Sequence, residues 1–327
     1  MTDEVQATAI AHVNVALVKY WGKRDAELVL PWTSSLSMTL DAFWTNTTVR
    51  FCAEAGEDEV MLDGVPITGV PRRRVTGFLD LVRSRAGRTG RAVVHSVNTV
   101  PTGAGLASSS SGFAALAMAA SAACGLSLDA TVLSRLARRG SGSASRSIFG
   151  GFALWHAGHD DESSYAEPVP SVGFDPVMVV ALVDTAHKAV NSRDAMLRTV
   201  ETSPLFRPWV DSAAADLKEM RDAVARADLD TVGEVAERNA LGMHATMLAA
   251  RPAVRYFAPA TVAVLDAVLE LRRAGVSAYA TMDAGPNVKI LCHRADAALV
   301  AEAVDAAAGC PTMVAGVGPA ARLVVEL

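Results

Sequence analysis

A run of small residues, Pro101-Thr-Gly-Ala-Gly-Leu-Ala-Ser-Ser-Ser-Ser-Gly112, feeds directly into an alanine-rich segment. Glycines let a backbone come close to a ligand, and serine hydroxyls beside the free N–H groups of a helix N-terminus bind phosphate. The run therefore reads as a phosphate cradle. It is not a P-loop, because no Gly-Lys-Ser/Thr follows, and Ser108 occupies the third glycine position of a dinucleotide fingerprint. A flexible Gly/Ser linker is the competing reading, weakened because linkers rarely run unbroken into an apolar helix. A second stretch, Arg138-Arg139-Gly140-Ser141-Gly142-Ser143-Ala144-Ser145-Arg146-Ser147, flanks small residues with guanidiniums that pair in bidentate fashion with phosphate or carboxylate oxygens. Two such sites suit two anionic ligands, a nucleotide and a phosphorylated substrate; a surface turn with solvated arginines is the alternative.

Two further segments could do chemistry. Lys19-Tyr20-Trp21-Gly22-Lys23-Arg24-Asp25 sets cations beside aromatics, which suits an anion, although an ordinary solvated strand end has the same composition. Asp283 lies in Met282-Asp-Ala-Gly-Pro-Asn287, where Gly and Pro force a bend that presents a carboxylate. An Asx turn accounts equally well for an aspartate there.

The elements that must hold these groups follow from hydrophobic period. Val13, Val15 and Leu17 alternate with small or polar residues, as do Leu36, Met38 and Leu40, so the start is β-rich. Asp63-Gly64 is a hairpin-type turn. Val75, Phe78, Leu79 and Val82 then recur at helical spacing before a β-like run over 92–97. A helix is predicted from about Phe113 to Cys124, with Gly125 as its stop, and another opens at Asp129 as N-cap and includes Leu133 and Leu136. The polar, proline-bearing stretch 158–176 is the expected junction between domains 1–176 and 177–327. Beyond it come a buried strand over 177–183, helices marked by Leu217, Met220, Val224 and by Val262, Leu265, Leu269, and a hairpin bent at Asp283. A helix over 297–307 and a closing strand over 322–326 complete an order that fits a ferredoxin-like split βαβ unit.

Composition limits the function classes. With 51% hydrophobic and 20% charged residues, the 327-residue chain buries enough apolar surface to offset its ordering entropy, and its length suits about two domains. A net charge of −5 supplies no global positive field, so nucleic acid and anionic membrane surfaces are not expected partners. Cys52, Cys124, Cys292 and Cys310 form no CxxC motif and are expected as buried thiols in a reducing cytoplasm. The first ten residues lack a signal peptide's basic start and apolar stretch.

Asn14–Asp25, Ser34–Leu40, Pro101–Gly112, Arg139–Trp155 and Met282–Asn287 together resemble, in order along the chain, the diphosphomevalonate decarboxylases of the GHMP kinase superfamily. The blocks KYWGKRD, RRGSGSASRS and MDAGPN are the most particular to that branch. The resemblance implies an α+β GHMP kinase fold, with a ribosomal-protein-S5-like N-terminal domain, a ferredoxin-like C-terminal domain and the active site in the cleft between them. It also implies the reaction: ATP phosphorylates the 3-hydroxyl of mevalonate 5-diphosphate, and loss of phosphate and CO2 gives isopentenyl diphosphate. By matching motif, Asp283 is expected to take the hydroxyl proton, Lys19 to hold that carboxylate ionised and Arg146 to grip the substrate carboxylate. Tyr20, Lys23, Ser141, Gly142, Ser143, Ser192, Arg193 and Met196 map onto substrate-binding positions. Gly103, Gly105, Ser108 and Ser109 fall in the nucleotide phosphate loop, and Ser96 and Asn98 match positions near the adenine. Use of ATP implies Mg2+, for which no carboxylate cluster identifies ligands; the family also suggests a cytoplasmic homodimer. The chain departs from the family at Asn191, Asp194 and Ala195 and at His187, before Lys188, which bears on substrate preference. A relative that phosphorylates without decarboxylating, one that prefers the monophosphate, and a non-catalytic nucleotide-binding module are the rival readings.

Overall fold

The computed structural model of the chain describes residues 6–52, 56–99, 108–184 and 190–324. The alternation at Val13, Val15 and Leu17 belongs to β1 (Gln6–Val18), which is followed by the short β2 (Lys23–Asp25) and β3 (Leu30–Pro31) and the long β4 (Ser35–Cys52). Asp63 and Gly64 join β5 (Glu59–Leu62) to β6 (Val65–Pro66) with φ of 52° and 78°, the left-handed pair a two-residue hairpin needs. Helix α1 (Gly69–Ala86) buries Phe78, Leu79 and Val82, and β7 (Arg91–Asn98) follows.

Helix α2 (Ser108–Ala123) begins at Ser108 rather than near Phe113, so all four serines form its first turn. Serine is a weak helix former because its hydroxyl competes for the backbone, but here that competition is resolved. Ser111 Oγ donates to the Ser108 carbonyl at 3.2 Å and meets Thr45 Oγ1 at 2.7 Å. Asp129 caps α3 (Ala130–Gly140) by accepting from Val132 N at 2.8 Å. A 3₁₀ turn (Gly142–Ile148) leads to β8 (Phe152–Trp155) and β9 (Ala166–Val169). Because β9 pairs with β8, part of the stretch expected as an interdomain junction belongs to the first sheet.

The fully buried β10 (Val177–Ala181) opens the second half, followed by α4 (Ser192–Thr202), α5 (Phe206–Ala225), α6 (Leu229–Leu248) and α7 (Pro259–Arg273). The hairpin of β11 (Ala278–Met282) and β12 (Val288–Cys292), α8 (Ala297–Ala308), β13 (Thr312–Ala315) and β14 (Arg322–Val324) complete the chain. The second sheet runs β11-β12-β10-β13, with every pair antiparallel, in the ferredoxin-like order. Its closing strand is β13, not the expected strand near Arg322. β14 instead pairs with β1, satisfying backbone groups at that strand's edge and returning the chain to the first sheet, ordered β14-β1-β4-β7-β5-β6 with β8 and β9 branching from β4.

One apolar cluster ties the two halves together. Val13, Val15 and Leu17 of β1 share it with Met220 and Val224 of α5, Val232 and Val235 of α6, and Leu291 of β12. This shared core brings the end of β1 against the β11–β12 turn, and so Lys19 against Asp283. Three of the four cysteines are buried as expected; Cys52, at the end of β4, is only half-buried.

Candidate active site

Asp283 sits between two buried ammonium groups. Lys19 Nζ donates to Asp283 Oδ1 at 2.8 Å and to the Ala16 carbonyl at 2.7 Å, and Lys289 Nζ lies 3.4 Å from Asp283 Oδ2. Both lysines are 1% exposed, whereas the aspartate side chain is 26% exposed. Burial by itself would raise the carboxyl's pKa, but Lys19 and Lys289 outweigh it and hold Asp283 well below the usual carboxylate range. The Asx-turn alternative thus gives way to an ionised, charge-clamped carboxylate. Lys19 is fixed from behind: its N–H donates to Asn239 Oδ1 at 2.8 Å, and Asn239 Nδ2 donates to Asp216 Oδ2 at 2.8 Å. His244, on the same helix as Asn239, stacks on Phe257 and is pulled by burial to about 4, so it is neutral.

Arg146, from the 3₁₀ turn, is 2% exposed. Its Nε donates to Asn14 Oδ1 at 3.3 Å, one Nη donates to Ser35 Oγ, and the guanidinium lies 5.7 Å from the Trp155 ring centroid. No described carboxylate forms an ion pair with it, although Asp283 acts on it electrostatically. A guanidinium aimed and left without an ion-pair partner in this way is suited to an incoming carboxylate. Arg138 and Arg139 do not join it. Arg138 is bound to Asp161 and to the Leu28 and Ser164 carbonyls, and Arg139 lies 3.8 Å from Asp161, so of the three guanidiniums expected to meet an anion only Arg146 has no described carboxylate beside it.

The remaining expected positions fall into two groups. Tyr20 packs edge-on against Trp155 at 4.7 Å, its buried hydroxyl without a partner among the described residues. Ser109, Ser141 and Ser143 form a row of hydroxyls at 3.2 and 3.4 Å. Gly142 is demanded by close approach, since a Cβ there would stand 2.8 Å from both Tyr20 and Trp155. Lys23 and Arg193 sit near Arg74 of α1, a residue the motifs did not point to. Burial first, then Arg193 and Arg74, lowers Lys23 to about 8, while burial and Arg193 lower Arg74 to about 10. These three cations have no carboxylate partner among the described residues, which is an arrangement for an anion that arrives from outside. Ser192 opens α4, where Asn191 Oδ1 accepts from the N–H groups of Arg193 and Asp194, and Met196 packs on the cluster of Trp21, Phe206 and Trp209. The departures at Asn191 and Asp194 therefore build a helix cap. His187 and Lys188 lie outside the described residues.

At the other end of the site, Ser108 is exposed on the first turn of α2, whereas Ser110 and Ser111 are buried. Ser96 meets Thr47 Oγ1 at 2.9 Å and Asn98 Oδ1 accepts from Thr45 Oγ1 at 3.3 Å, so β7 holds both beside that helix start. Gly103 and Gly105 lie outside the described residues.

Comparison with known proteins follows the same geometry. A diphosphomevalonate decarboxylase-like N-terminal domain model matches residues 11–166, and a mevalonate 5-diphosphate decarboxylase C-terminal domain model matches residues 178–317. Among solved structures, MDDEF in complex with MVAPP, AMPPCP and magnesium is 45% identical with a TM-score of 0.94, covering 98% of this chain and 99% of that one. The mevalonate diphosphate decarboxylase from Enterococcus faecalis, described for mevalonate diphosphate mediated ATP binding, is 44% identical with a TM-score of 0.92 over 98% and 99% of the two chains. The phosphomevalonate decarboxylase of Haloferax volcanii is 35% identical over 323 residues, covering 98% of each chain.

Proposed function

The chain belongs to the mevalonate diphosphate decarboxylase family, and on that premise we propose that it converts mevalonate 5-diphosphate and ATP to isopentenyl diphosphate, ADP, phosphate and CO2. The observation that carries this reading is the ionised Asp283 clamped by Lys19 and Lys289, with Arg146 nearby. In the reading, Arg146 binds the substrate carboxylate and Asp283 accepts the 3-hydroxyl proton as that oxygen takes the γ-phosphoryl group of ATP. Phosphorylation turns a poor leaving group into a good one. The C3–O bond then breaks toward phosphate while the bond to the carboxylate carbon becomes the new double bond, releasing CO2.

The nucleotide phosphates fit the start of α2, where Ser108, Ser109 and the helix N-terminus offer donors, with Ser96 and Asn98 toward the adenine. Mg2+ brought in with ATP would be held chiefly through the nucleotide's own phosphate oxygens and water, and the exposed Ser108 hydroxyl at the start of α2 would be the side chain to join them. When bound, the ion offsets charge on the transferring phosphate.

The full-length likeness to a phosphomevalonate decarboxylase favours a second reading, in which the substrate is the 5-monophosphate. Lys23, Arg74 and Arg193, with Ser141, Ser143 and Ser192, supply more positive charge and more donors than one phosphate needs, and this supports the diphosphate. Arg74→Ala or Lys23→Ala should raise KM for mevalonate 5-diphosphate by about tenfold, since charge-assisted hydrogen bonds contribute about 1.5–3 kcal/mol each, with a smaller effect on the 5-phosphate. Equal penalties for both esters would count against the placement. The family resemblance further supports a cytoplasmic homodimer, which sedimentation would test, and nucleic acid or membrane has no part in the reading; no described helix is long and apolar enough to cross a bilayer.

A further inference from the structure

Lys289 has no place in the motifs that mark this site, yet it is as deeply buried as Lys19 and approaches the other oxygen of Asp283. Its position follows from register. Lys289 pairs across the β11–β12 hairpin with Thr281, so the two side chains share a face. Tyr279 lies on that face and packs on Gly233 of α6, and Leu291, also on it, joins the core built from α5 and α6. The ammonium is thus held between the second sheet and α6, behind Asp283 as seen from the cleft. With Arg146 also close by, the ionised carboxylate cancels only part of the positive charge around it.

We infer that Lys289 is a charge-holding residue acting through Asp283: the carboxylate offsets part of the charge of its ammonium at rest, and that offset is lost once Asp283 takes the hydroxyl proton. The inference rests on the reading of Asp283 as the proton acceptor. In the first step the 3-oxygen forms its bond to the γ-phosphorus, the bond to the ADP oxygen breaks, and the hydroxyl proton moves onto Asp283. The carboxyl group is then neutral, and the net positive charge held around it has risen by one beside the phosphate newly formed on the 3-oxygen. In the second step the C3–O electron pair leaves with that phosphate, and the electron pair between the carboxylate carbon and C2 becomes the C2=C3 double bond as CO2 departs. This added net positive charge around Lys19 and Lys289 favours the phosphate both as it forms and as it leaves, without any movement of either lysine.

A residue that only shaped the Asp283 turn would serve phosphoryl transfer alone. The test is single-turnover measurement of ADP and CO2 from mevalonate 5-diphosphate and ATP in Lys289→Met, which keeps length and apolar bulk without charge. ADP formation should slow, and CO2 should lag behind ADP by at least about tenfold, with the 3-phosphorylated intermediate accumulating. Substrate binding, measured by calorimetry without nucleotide, should change by less than about threefold. Lys289→Gln repeats the test should the Met variant fail to fold, and Lys289→Arg, which keeps the charge, should bring CO2 back into step with ADP. CO2 keeping pace with ADP in both neutral variants would overturn the inference. Failure of the underlying reading is separately visible, as normal turnover by Asp283→Asn.

Discussion

Two kinds of charged group do different work here, and their titration separates them. Asp283 is held ionised by two ammoniums, so Asp283→Asn keeps the shape of the turn and removes the acceptor. A general base contributes about 10² to 10⁴ in rate, and kcat should fall by at least that range while ATP and mevalonate 5-diphosphate bind with near-native affinity. ADP formed briskly without CO2 would instead assign Asp283 to elimination alone. Lys23 behaves oppositely, because burial and the cations Arg193 and Arg74 bring it down to about 8. Below that pH it is charged and ready for the diphosphate; above it, binding must first recharge it. Affinity should therefore decline as pH rises past about 8, with proton uptake on binding at pH 8.5 seen by calorimetry in two buffers of different ionisation enthalpy. Asp283, Lys19 and Arg146, which the structure brings together, are legible as candidates because short blocks around them are distinctive. Arg74 and Lys289 are not, since each acquires its role from neighbours that only tertiary folding supplies, Arg193 for one and Asp283 for the other.

Helix starts, more than helix interiors, place the ligand-facing groups. The first turn of α2 exposes Ser108 and buries Ser110 and Ser111, a division that the run of four identical residues conceals. Helix α4 begins on an Asn191 cap that orders Ser192 and Arg193, the residues proposed to meet the diphosphate. Asn191→Ala should lower stability by about 1 kcal/mol in chemical denaturation and raise KM for mevalonate 5-diphosphate, leaving the nucleotide end unaffected. A variant stable as wild type with unchanged KM would show that the cap does not hold this helix. Sequence spacing reveals α5 through Leu217, Met220 and Val224, whereas it leaves α6 unread although that helix buries Val232, Val235, Ala236, Ala240, Met243 and Met247, and α4, which buries only Ala195 and Thr199, leaves almost no periodic signal. The half-exposed β13 is equally faint, which is why β14, although correctly placed as a strand, stood in for it as the closing strand of the second sheet.

Across the whole molecule, the site exists because two sheets share one core. Lys19 comes from the end of β1 in the first sheet and Asp283 from the hairpin of the second, and the apolar cluster spanning β1, α5, α6 and β12 sets their separation. The strand-helix order of the second half made its ferredoxin-like sheet legible, but its contact with the first sheet depends on side chains more than 200 positions apart, which no local pattern reveals. A cluster of three cations, a helix N-terminus and an ionised carboxylate suit a reaction with two phosphorylated partners. The most direct test of that account is the product balance for purified enzyme supplied with Mg2+, ATP and either mevalonate 5-diphosphate or mevalonate 5-phosphate. One ADP, one phosphate and one CO2 should appear for each isopentenyl diphosphate formed, with the diphosphate ester preferred at least about tenfold in kcat/KM. ADP without CO2, or preference for the monophosphate, would contradict it.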